Sequence, residues 1–147
     1  MKAQRLSNAS GTQTFVLVFS TGDEATKDLL EFARANAIDA ASFTGIGAFQ
    51  GVTLGYFDVQ KHEYTRIEID EQVEVVSLVG NIALGDDGPK LHAHVVVGKS
   101  DGTAHGGHLL EGRVRPTLEI VLVETPAHLK RRSDAATGLS LIDLQGR

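Results

Sequence analysis

Residues 14–19, TFVLVF, form an unbroken run of β-branched and aromatic side chains between polar flanks, the pattern of a buried strand. The period then changes. Leu29, Leu30 and Ala33 recur at helical spacing with Phe32 beside them. Thr21 stands three residues before Glu24, as in a capping box, and Asn36 offers a stop. This spacing predicts a helix over 23–35. Residues 39–58, DAASFTGIGAFQGVTLGYFD, predict two strands about a glycine-rich turn. Residues 62–70 alternate loosely, as an edge or hairpin strand does, and 72–84 are long and valine-rich, as a central strand is. GDDGP at 85–89 is a turn by composition, 91–98 a strand, 99–103 a second turn and 116–124 another strong strand. The tail from 125 predicts one helical turn and a short extended end.

Strands therefore outnumber helices, and short turns rather than helical crossovers join them. The expected fold is α+β, with a mostly antiparallel or mixed central sheet of about seven strands and the 23–35 helix packed on one face. Residues 1–147 are expected to form a single domain. No repeat, linker or low-complexity segment interrupts them.

Composition alters this picture at a few points. Hydrophobic residues are 41% and charged residues 22%, ordinary for a globular protein. The chain has no cysteine, which excludes disulfides, thiolate zinc sites and cysteine nucleophiles. The run FVLVF is too short for a signal peptide or a membrane span, so the expectation is a cytoplasmic protein with no membrane partner. The net charge of −5 opposes nucleic-acid binding by bulk electrostatics. Only Lys130, Arg131 and Arg132 make a local basic cluster, a pattern also typical of a solvated tail.

Candidate chemistry concentrates at residues 91–112, LHAHVVVGKSDGTAHGGHLLEG, which hold four of the six histidines and five of the sixteen glycines. Strand side chains alternate faces, so His92 and His94 share one. If Ser100, Asp101 and Gly102 form a three-residue loop, Lys99 pairs with Thr103 and His94 falls opposite His108. His92, His94 and His108 then share a face, opposed Cβ atoms being about 4.5–5.5 Å apart. Three neutral imidazoles with an open fourth position are a zinc arrangement of the catalytic type. Gly106 and Gly107 would let backbone approach a ligand or cofactor, or bend the strand toward it. A two-residue loop at Asp101-Gly102 would shift the register by one and turn His108 away, and a bulge at Gly106-Gly107 would shift it back. His105 has the wrong parity in the favoured register, and no role is assigned to His62 or His128. The same histidines also fit a polar hairpin in which they bond backbone carbonyls. Glu111 is the nearest downstream carboxylate. It is a candidate general base beside a metal-bound water, an acceptor that orients a histidine, or an exposed partner of Arg113 or Arg115.

Two other motifs carry less. GIGAFQG at 45–51 has one residue too many for a dinucleotide loop and leads into a strand pattern rather than a helix. GRVRP at 112–116 has valine where the core of an AT-hook has glycine.

The segments at 43–58, 91–112, 116–124 and 134–142 together resemble the plants-and-prokaryotes-conserved (PPC) domain family. The resemblance implies an α/β-type fold about a central mixed or antiparallel sheet, a homotrimer, and association with DNA or DNA-binding proteins. In plants the domain follows AT-hooks in nuclear proteins; prokaryotic members are usually the bare domain. The family's His-x-His and Gly-Gly-His elements fall on His92, His94, Gly106, Gly107 and His108, which implies a site for zinc or another divalent transition metal. Three functions are then in view: a binding or regulatory module with a histidine-lined metal or small-ligand site, a DNA-associated protein, and a metal-dependent hydrolase or lyase.

Overall fold

A computed structural model describes residues 1–9, 12–125 and 129–144. Among them lie nine strands and one helix: β1 (Lys2–Ala9), β2 (Thr12–Ser20), α1 (Ala25–Ala35), β3 (Ala40–Asp58), β4 (Glu63–Ile69), β5 (Val73–Gly85), β6 (Gly88–Gly98), β7 (Ala104–Glu124), β8 (Lys130–Ser133) and β9 (Ser140–Asp143). The fold is α+β as expected, with nine strands rather than seven. All pairings are antiparallel except the contact of β5 with β8.

Two long strands organise the sheet. β3 runs antiparallel to β7 from Ala41↔Glu124 to Gly55↔His108. β5 lies along the first half of β3, β6 along β5, and β6 returns to the first half of β7. The ring β3–β5–β6–β7 thereby closes on itself, while β2 and β4 extend it at the edges.

The glycine-rich segment of 39–58 is a bulged strand and not the turn that its composition predicts. The register shifts between Gly45 and Gly47, where Gly47 takes φ +153°. A Cβ there would run into the Thr117 carbonyl, so glycine lets β3 bend against β7 without breaking. The expected helical turn of the tail is likewise replaced, among the described residues, by the β8–β9 pair.

The helix begins later than its spacing predicts. Glu24, not Thr21, is the N-cap: its carboxylate accepts from the N–H groups of Thr26 at 3.3 Å and Lys27 at 2.7 Å. Asp28 reciprocates by accepting from the Glu24 N–H at 3.3 Å. Asn36 closes the helix as expected. Helix residues Leu29, Phe32 and Ala33 pack with Phe15, Leu17, Phe43, Ile120 and Leu122 in one core. Alternate residues on the strands face the other way. The register links Val16, Val121, Thr44, Val79, His94 and His108 in one row across five strand pairings. Directly paired residues point to the same side of a sheet, so this row forms the face away from the core.

Candidate metal centre

The turn after β6 decides the site. The Lys99 N–H donates to the Thr103 carbonyl at 2.9 Å and the Gly102 N–H to the Lys99 carbonyl at 2.9 Å. Gly102 sits at φ +81°, and the Asp101 carboxylate accepts from the Thr103 N–H and hydroxyl at 2.9 and 2.6 Å. This is the three-residue loop with a left-handed glycine, and it sets His94 opposite His108 and Lys99 against Thr103.

His92, His94 and His108 converge. Their ring centroids form a near-equilateral triangle with sides of 5.1, 5.2 and 5.5 Å. One donor nitrogen from each lies within 4.8 Å of the other two. The Nε2 atoms of His92 and His94 are 3.2 Å apart. Two nitrogens about 2.0–2.1 Å from one tetrahedral zinc ion stand about 3.3 Å from each other, so the spacing suits a shared cation. An N–H···N hydrogen bond has a similar length. The Nδ1 of half-buried His108 has no partner among the described residues. A buried polar atom left unpaired is costly, and it is one of the two nitrogens that this ring has to offer a ligand.

Electrostatics favour the ligating form. Burial, reinforced by the neighbouring His92 and His94, pushes the His108 pKa down to about 4. Burial also lowers that of His92, with smaller contributions from the charges of Arg131 and His94. Neutral imidazole is the form that binds a metal.

The surroundings are aromatic on one side and open on the other. Tyr64 of β4 lies against His108 with centroids 5.0 Å apart, and Phe57 backs Tyr64 at 5.1 Å. On the open side two shallow depressions flank His94. One, of about 320 Å³, is lined by Val79, Gly80, Asn81, His92 and His94. The other, of about 360 Å³, includes Gly106 and Gly107. A Cβ on Gly107 would stand 3.0 Å from the Gly55 carbonyl oxygen, so this glycine serves close strand packing as well as any ligand.

Other candidates lie elsewhere. Glu111 is not part of the histidine group; it is exposed and bonds Arg66 at 2.7 Å rather than Arg113 or Arg115. His105 is exposed and paired with Val97. His62 occupies the β3–β4 turn at φ 55°, and His128 lies outside the described residues. GIGAFQG and GRVRP are both strand segments, in β3 and β7. The basic cluster is largely used up: Arg131 is buried and Arg132 pairs with Asp143 at 3.0 Å, which leaves Lys130 exposed.

Two residues of the site escape sequence reasoning. Asn81 pairs directly with His92, and Arg131 donates to the Asn81 Oδ1 at 2.7 Å. The short turn between Gly85 and Gly88 fixes the β5–β6 register, so Asn81 was within reach of a pairing argument. Arg131 is marked in sequence only as one of a basic cluster, and it arrives from the tail.

Fold and site together define a class: an antiparallel α+β domain with a tri-histidine cluster on an open sheet face. The family model of the Plants and Prokaryotes Conserved (PCC) domain matches residues 6–126, and the chain belongs to that family. A metal-containing protein from Archaeoglobus fulgidus is 36% identical and superposes with a TM-score of 0.80 over 88% of this chain and 91% of that one. A Bacteroides thetaiotaomicron protein provisionally named as DNA-binding is 28% identical, with a TM-score of 0.88 over 96% of each chain. The chain is also 31% identical over 120 residues, 80% of its length, to the bifunctional protein GlmU of Synechococcus sp. (strain JA-3-3Ab), of which it spans 18%.

Proposed function

We propose that the protein is a self-associating binding module whose His92, His94 and His108 hold a divalent transition metal of the zinc class. The carrying observation is the convergence of three imidazole donors within 4.8 Å on the β6–β7 hairpin. The metal-containing relative from Archaeoglobus fulgidus supports the same reading. Bound there, the ion would supply a Lewis-acidic position open to a ligand. The chain's part is to hold three neutral rings in place, with Tyr64 against one of them. Gly106 and Gly107 line the approach. The cluster among the described residues is made of the three histidines alone.

Self-association is supported by the open sheet face, and the homotrimer is what the family resemblance implies. Ile46, Val76, Val79 and Val121 are 63, 60, 48 and 43% exposed there. They line or border a depression of about 500 Å³ that also includes Val16 and Thr44. Contiguous apolar surface of this kind marks an interface.

The test is elemental mass spectrometry on tag-free protein beside His94→Ala. The expected result is near one metal per chain, lost in the variant. No metal after incubation with zinc and gel filtration overturns the reading. A second reading, DNA association, draws on the Bacteroides thetaiotaomicron relative. An anisotropy titration with AT-rich and mixed duplexes at moderate salt separates the two. Saturable binding would favour DNA, and its absence would leave the metal module.

A further inference from the structure

Arg131 is the most unusual charge in the molecule. It is 8% exposed, and no carboxylate pairs with it among the described residues. Its guanidinium donates to the Ser140 carbonyl at 2.6 Å and to the Asn81 Oδ1 at 2.7 Å, and its Nε has no partner among the described residues. A buried cation without a counter-charge is costly.

The bond to Asn81 orients its amide. A guanidinium has only donors, so the Asn81 oxygen must face it. The amide NH2 therefore faces away from Arg131, and it has no hydrogen bond among the described residues. Asn81 is the direct cross-strand neighbour of His92 and lines the same depression as His92 and His94. The depression thus offers two imidazoles, a fixed amide donor and an uncompensated positive charge behind it.

We propose that this site takes an oxyanionic ligand, a carboxylate or phosphate group, with one oxygen toward the metal position and another on the Asn81 NH2. Arg131 is a positioning residue: it fixes the amide and supplies the charge. The proposal rests on the reading of the three histidines as a metal site, and it assigns that site a ligand class. A charge-assisted bond to an anion is the arrangement that gains most from a buried guanidinium.

The test is a titration of 15N-labelled, zinc-loaded protein with sodium acetate and, separately, inorganic phosphate at fixed ionic strength. The expected result is a saturable shift of the Asn81 side-chain NH2 resonances. Response to acetate alone identifies a carboxylate site, and response to phosphate alone a phosphate site. Asn81→Leu and Arg131→Gln should each weaken anion affinity at least tenfold while zinc stoichiometry stays unchanged. Zinc bound normally with no saturable shift, or with unchanged affinity in the folded Asn81→Leu protein, overturns the anion site and leaves the metal reading standing. If zinc is not retained, the metal reading falls and the same titration of metal-free protein decides. A saturable Asn81 shift keeps the anion site, and none overturns it. The wild-type resonances respond directly to the anion, so the result stands even where a variant fails to fold.

Discussion

At the scale of single residues, the three histidines differ in what they cost the fold. His108 is the most burdened, since burial disfavours its charged form and holds its pKa at about 4. The unfolded chain titrates near the ordinary value of about 6.5. Below that value the unfolded state takes up the proton that the folded state resists. Stability of chelator-treated protein is therefore full above about pH 6.5 and declines as pH falls toward 4. Urea unfolding at a series of pH values should show the midpoint falling across that window, and His108→Gln should flatten the fall. The constellation itself was legible in sequence, because strand parity and a three-residue loop place His94 opposite His108. The neighbours were not. Asn81 needed the β5–β6 register, which its short turn could have supplied, and Arg131, marked in sequence only as one of a basic cluster, comes from a distant strand.

At the scale of elements, Glu24 joins helix to sheet. One carboxylate caps α1 and also accepts from the Gly112 N–H of β7 at 2.8 Å. Glu24→Ala removes the cap, worth about 1 kcal/mol, and unpairs a buried strand donor, worth about 1–3 kcal/mol. A loss of about 2–4 kcal/mol is expected from denaturant unfolding, and Glu24→Gln should lose less. The sequence marked this helix by its apolar spacing, but it pointed to Thr21 as the cap, with Glu24 as its capping-box partner. Tertiary contact with Gly112 is what selects Glu24. The bend in β3 was opaque for a related reason. Glycines mark turns and bulges alike, and only the pairing of both flanks with β7 tells them apart.

At the scale of the whole molecule, the open face carries both proposed activities. The row that contains Val121, Thr44 and Val79 continues into His94 and His108. A partner subunit seated on the valines would therefore lie beside the histidines. Val79→Glu places a charge in the middle of this face, at a residue 48% exposed in the single chain, so the fold should tolerate it. Light scattering should then report a particle near the 15.7 kDa of one chain, against about three times that for the parent. A parent protein that already scatters as one chain would count against self-association. No helix among the described residues is long and apolar enough to cross a membrane.

The hairpin loop at Ser100, Asp101 and Gly102 acts as a piece of punctuation. It contributes no ligand, yet it sets the phase in which β7 is read against β6. Deleting one of its residues would leave every histidine in the sequence and turn His108 to the opposite side of the sheet. Among proteins with this hairpin, spelling out the three histidines is then insufficient to identify the site; the spacing between the second and the third carries the meaning.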